Sequence, residues 1–166
     1  MTPLLAAVAA VCGLVALSAF FSSSETAILS LPADVGVSRP GDARADTLRD
    51  LRSNPHRLLV TLLVGNNVVN AAISSVVTVL AVEALPAGAG VAVATGVASA
   101  VVLVFGEIVP KSYGLGRAEE WSLAVARPVA LVERLLGPVV SVFDLVTRRM
   151  SEALGGETRI EKPYED

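Results

Sequence analysis

Charge is the first thing this sequence lacks. Residues 1–24 contain no charged side chain, and neither do 58–82 or 84–106. Over all 166 residues, Asp, Glu, Lys and Arg make up 17%, where roughly 25% is usual in soluble domains. Aromatics are also scarce, at 4%, so the 53% apolar fraction is mostly Ala, Val and Leu. Mean hydropathy is +0.65. These values exclude a disordered chain and argue against a soluble enzyme. Thirteen Lys and Arg against 16 Asp and Glu leave a net charge of −3. No basic surplus exists to neutralise phosphates, so no nucleic-acid partner is expected. One cysteine, Cys12, excludes a disulfide framework and a cysteine-based metal cluster. Its apolar neighbours predict a small packing residue.

The uncharged stretches are 24, 25 and 23 residues long. A helix rises ~1.5 Å per residue, so each is long enough for the ~30 Å hydrocarbon layer with some tilt. The fold class is therefore an all-α membrane protein, with spans at about 4–29, 58–82 and 88–110. The first stretch lacks the basic start of a cleaved signal peptide and is longer than one needs. All 13 Lys and Arg lie in 39–57 or after 110, and the segment between the second and third spans carries only one charge, Glu83. Positive-inside distribution then places the N-terminus outside and the C-terminus in the cytoplasm of a plasma-membrane protein.

Cytoplasmic and interfacial helices are expected at about 42–53 and 120–150. Asp42, Asp46 and Asp50 recur every four residues and share one helical face. Pro128 and Pro138 interrupt 121–150, which reads as helices at the interface or a shallow re-entrant hairpin rather than a clean span. Residues 151–166 read as a polar linker toward a further cytoplasmic domain. The Gly/Ala/Ser-rich stretch at 87–100 is a plausible close-packing surface for a second copy.

Polar groups in lipid are costly and usually functional. Ser18, Ser22 and Glu25 fall on one stripe of the first span. Asn66, Asn67 and Asn70 place three carboxamides within five residues of the second. Asn66, Asn70, Ser74 and Thr78 share a face there. In the third, Pro110 has no N–H to offer the Gly106 carbonyl, which is thereby freed beside the Glu107 carboxylate. The plainer readings are packing hydroxyls, inter-helix carboxamide bonds and a Glu107–Lys111 pair at i, i+4. Together the spans offer hydroxyls, amide oxygens, a freed carbonyl and a carboxylate, with no thiolate or imidazole at these depths. Such oxygen-only sets suit Mg²⁺, Ca²⁺ or Na⁺ rather than Zn²⁺ or Cu⁺.

Three blocks carry a resemblance: Leu-Ser-Ala-Phe-Phe-Ser-Ser-Ser-Glu-Thr-Ala, Leu-Leu-Val-Gly-Asn-Asn-Val-Val-Asn and Phe-Gly-Glu-Ile-Val-Pro-Lys. In this order and spacing, residues 1–150 resemble the transmembrane domain of the CorC/CNNM magnesium transporters. The resemblance implies a three-span homodimer with a short cytoplasmic helix layer. It implies Mg²⁺ efflux coupled to Na⁺ entry, through a largely dehydrated Mg²⁺ near the middle of each protomer. Carried over to this sequence, the ligands are Ser18, Ser22, Asn70, Gly106 and Glu107. Asn66, Glu25 and Gly114 are additional candidates, and Pro110 is the helix kink. Relatives continue into CBS-type cytoplasmic domains, which are absent here.

No catalytic residue is assigned. An intramembrane protease needs a Ser–His pair or paired aspartates within the spans, and the sequence has neither. The competing class is a membrane anchor that dimerises and holds regulatory domains at the bilayer without transporting anything.

Overall fold

The computed structural model describes residues 2–32, 41–86 and 88–153. Those residues are helical almost throughout, with no strand among them. Helix α1 runs Thr2–Leu29 and ends before Pro32, whose ring disfavours helical backbone at the preceding residue. Helix α2 (Ala43–Arg52) begins at Asp42, whose side chain accepts from the Arg44 N–H at 2.9 Å. Asp42 is thus a cap rather than a member of the helical acidic face. Asp46 in the first turn and Arg49 and Arg52 in the last complement the helix dipole.

Helix α3 spans Pro55–Ala84, with Asn54 as its N-cap and Pro55 where a missing N–H costs nothing. A short turn through Gly88 (φ 91°) leads into α4, Ala89–Val101. A π-helical segment, Val102–Ile108, follows, then α5, Val109–Gly116, and α6, Ala118–Ala153. Three helical stretches are long and apolar enough to cross a membrane: Leu4–Leu29, Pro55–Ala84 and Ala89–Gly116. The chain is a multi-pass membrane protein.

Helix α1 is the hub of the bundle. It packs on α3, on the π segment and α5, and on α6. Helices α2 and α6 pack on each other at the end of the bundle where α1 finishes and α3 begins. There Ile28, Leu48, Leu58, Leu62 and Val129 are almost fully buried. Arg52 Nη2 donates to the Leu31 and Pro32 carbonyls at 2.8 and 3.0 Å, tying α2 to the end of α1. Much of the remaining span surface faces outward and is apolar, as at Leu5, Val68, Phe105 and Ile108. A bilayer covers such a surface; water would not tolerate it.

Three features depart from the sequence expectations. Helix α6 is continuous through Pro128 and Pro138. Both prolines face outward, while Val125, Ala126 and Val129 beside Pro128, and Val140 beside Pro138, are buried. That burial offsets the missing backbone bonds. Secondly, the small-residue stretch is partly used within the chain. Gly90, Ala94 and Ala98 face inward, and a Cβ on Gly90 would stand 2.9 Å from the Ala81 carbonyl oxygen of α3. Finally, Cys12 is exposed on the outside of α1 rather than packed. Of the linker expected at 151–166, residues 151–153 continue helix α6, and 154–166, like the loop at 33–40, lie outside the described residues.

Candidate cation site

Three helices bring their polar residues to one place. Ser18 of α1 is fully buried, and its hydroxyl lies 2.7 Å from Asn70 Oδ1 and 3.2 Å from Asn66 Oδ1, both on α3. Asn70 Nδ2 donates to Glu107 Oε1 in the π segment at 3.2 Å. Ser18 carries one proton and faces two amide oxygens, so it satisfies one at a time. The cluster therefore holds more oxygen lone pairs than protons to fill them.

Small residues make the approach possible. A Cβ on Gly106 would stand 2.7 Å from Ser18 Oγ, closer than side chains tolerate. On α3, a Cβ on Gly65 would meet the Phe21 ring at 2.7 Å. Glycine at both positions lets the helix backbones close on either side of Ser18.

The π segment was not anticipated from the sequence, although the proline at its end was visible there. Val109 N–H donates to the Val104 carbonyl, five residues back instead of four. Pro110 follows and donates nothing, so neither Phe105 nor Gly106 receives a bond from residue 110 in either register. Widening the ladder also moves the proline ring away from the carbonyl it would strike in an α-helix. Single π turns of this kind recur at functional sites, because they re-aim the adjoining side chains. Here the adjoining residues are Gly106, buried against Ser18, and Glu107, half-buried against Asn70.

Ser22 lies one turn below Ser18 on α1. Its hydroxyl is fully buried and has no hydrogen-bond partner in the protein. An orphaned hydroxyl of this kind costs about 1–3 kcal/mol unless something else satisfies it. Gly114 lies away from the cluster; it packs against the Ser23 backbone, and a Cβ there would collide with the Ser23 carbonyl. Glu25 is half-buried and pairs with Lys111 Nζ at 3.5 Å. The Glu107–Lys111 pair considered above is thus replaced: Glu107 engages Asn70, and Lys111 reaches across to α1. Asn67 is exposed, while Ser74 and Thr78 bond back to the Asn70 and Ser74 carbonyls of their own helix. These three do not join the cluster.

Sequence reasoning also missed Ser23 as a junction. Its hydroxyl accepts from Trp121 Nε1 at 3.0 Å and donates to the Phe20 carbonyl. Trp121 stacks edge-on against Tyr113, at 5.3 Å between centroids. A lone tryptophan preceded by two glutamates gave no signal of a partner 98 residues away.

The donor set is chemically uniform. Hydroxyl, amide, backbone carbonyl and carboxylate oxygens are hard ligands, suited to Mg²⁺, Ca²⁺ or Na⁺. Among the described residues, no three His, Cys, Asp or Glu side chains gather as a metal cluster. The site's formal charge comes from Glu107 alone.

Residues 9–166 match the family described as the cyclin M (CNNM) transmembrane N-terminal domain. The chain belongs to the CNNM family. A chloroplastic DUF21 domain-containing protein of Arabidopsis thaliana is 40% identical over 152 residues, covering 91% of this chain and 23% of that protein. The UPF0053 inner membrane protein YfjD of Escherichia coli is 34% identical over 146 residues, covering 87% of this chain and 34% of its own length. A UPF0053 protein of Haemophilus influenzae is 34% identical over 148 residues, with 88% and 35% covered. This CNNM chain spans about a quarter to a third of these relatives, and the matched part is the membrane domain just described.

Proposed function

We propose that this CNNM domain carries Mg²⁺ across the membrane, as efflux driven by Na⁺ entry, through a site at Ser18, Ser22, Asn70, Gly106 and Glu107. The observation that supports it is the convergence of Ser18, Asn66, Asn70 and Glu107 from three spans. A cation among these oxygens would take up the lone pairs that Ser18's single proton leaves unfilled. It would also give the orphaned Ser22 hydroxyl a partner. Asn66 Oδ1 stands as close to Ser18 as a ligand shell requires, so both asparagines belong in the candidate set. One carboxylate against a divalent charge makes a site that can release its ion as well as bind it.

Coupling to Na⁺ is carried by the family resemblance, as are the homodimer and the attachment to cytoplasmic CBS-type domains. Orientation follows the basic residues: the end bearing α2 and α6 is cytoplasmic, and the N-terminus is outside.

The test is Mg²⁺ flux in proteoliposomes, with and without an opposing Na⁺ gradient. Glu107→Gln preserves shape and removes the charge; it should abolish flux, as should Asn70→Ala, while both proteins remain folded. Wild-type flux in Glu107→Gln overturns the site. Absent flux together with no Mg²⁺-dependent heat in the wild-type protein would leave the membrane-anchor reading.

A further inference from the structure

We propose that the Lys111 ammonium is a tethered cation that competes with ions for the Glu25 carboxylate, one of the additional ligand candidates of the resemblance, and fills that position when no ion is there. This inference rests on the transport reading and deepens it.

The positions of the two carboxylates come first. Glu25 lies seven residues beyond Ser18 on α1, about 10 Å along the helix axis. Lys111 lies four residues beyond Glu107, about 6 Å along the other helix. The Glu25–Lys111 pair therefore sits one to two turns from the oxygen cluster, toward the end bearing α2 and α6. Between the carboxylates stands Ser22. It shares α1's stripe with Ser18 and Glu25, and its buried hydroxyl has no partner. Ser24, Thr61 and Ser122 also carry buried hydroxyls without partners, so it is Ser22's place on this stripe that puts an oxygen within reach of an ion between the two carboxylates.

The pair itself is built to separate. Its N–O distance is 3.5 Å, against about 2.7–2.9 Å for a close charge-assisted bond. Glu25 is half-buried, so its charge is not fully satisfied by solvent. The helices on either side are fixed by contrast: Gly114 packs on the Ser23 backbone one turn away. Only the flexible lysine side chain needs to move.

One consequence is an exchange of counter-ions. A cation moving from Glu107 to Glu25 displaces the ammonium. Lys111 then stands i, i+4 from the vacated Glu107, within side-chain reach of it. While an ion is on the path, each carboxylate faces a positive charge, the ion or the ammonium; without an ion, Lys111 stays on Glu25 and Glu107 keeps the Asn70 N–H. No bond is made or broken and no proton moves.

The experiment is equilibrium dialysis of the full chain in detergent against Mg²⁺, counting ions bound per chain. Wild type is expected to bind one, Lys111→Arg one, Lys111→Met two, and Lys111→Met with Glu25→Gln one again. A Lys111→Met protein that binds one ion with unchanged affinity overturns the inference and leaves the transport site standing. A wild-type protein that binds none overturns the transport reading itself. Should Lys111→Met fail to give a folded, monodisperse protein, Glu25→Gln decides the matter. It releases Lys111 to pair with Glu107, and Mg²⁺ affinity should fall at least tenfold. Unchanged affinity in Glu25→Gln overturns the proposal.

Discussion

Gly106 and Ser18 set one of the closest approaches between two helices in this protein. A methyl group on Gly106 would meet Ser18 Oγ at 2.7 Å and Ser18 Cβ at 3.3 Å. Gly106→Ala should therefore push α1 from the π segment and cost about 1–3 kcal/mol of stability. Mg²⁺ binding should fall at least tenfold with it, read by calorimetry on the same preparation. Gly96, inside α4 with nothing within 4 Å of its notional Cβ, is the control: Gly96→Ala should leave Mg²⁺ binding unchanged and, by helix propensity, raise stability by up to about 1 kcal/mol. Trp121 tests a different contact. Trp121→Phe removes the 3.0 Å bond to Ser23 Oγ and keeps the ring. A loss of about 1 kcal/mol is expected, seen as a thermal midpoint lowered by a few degrees. Mg²⁺ affinity should not change, because Ser23 and Trp121 lie outside the cluster of Ser18, Asn66, Asn70 and Glu107.

Among the helices, the π segment decides where the Glu107 side chain points. Its i→i−5 register runs up to Pro110, which cannot donate in either register. Pro110→Ala restores that N–H and should let the ladder return toward i→i−4. Moving one residue out of the turn swings Glu107 about 100° around the axis, away from Asn70. Flux and Mg²⁺ binding should both be lost while far-UV circular dichroism stays helical. Retained binding in Pro110→Ala would show that the register is held by packing rather than by the proline. The span sequence made a kink legible here, since Pro110 and the freed carbonyl can be read directly. It did not reveal how the ladder would rearrange, because a π turn is a compromise with the neighbouring helices and not a local propensity.

The whole molecule is organised around α1, with α2 and α6 capping one end and the α3–α4 turn at the other. Helix α6 is held there by burial and by the Arg57 Nε–Glu133 Oε1 pair at 2.6 Å. Both partners are partly exposed, so Glu133→Gln should cost no more than about 1 kcal/mol, and less at high salt. Topology is tested from outside. In a Cys12→Ala background, a membrane-impermeant maleimide applied to intact cells should label Glu83→Cys and should spare Glu119→Cys. The reverse pattern would invert the orientation.

Alone, the sequence determined the class and the spans, and it listed the polar groups inside them. Long uncharged runs fix where the chain can cross lipid, because each buried charge there costs several kcal/mol. The same penalty made Ser18, Asn66, Asn70 and Glu107 visible, since polar groups persist in lipid only with a reason. Tertiary structure decided the partnerships. Lys111 pairs with Glu25 rather than its own-helix neighbour Glu107; Gly90 packs inside the chain; α6 continues through two prolines. Each of these outcomes depends on distances between helices, and those are fixed by packing across the bundle. A local pattern lists which groups are available, but only the fold selects the partner each one meets.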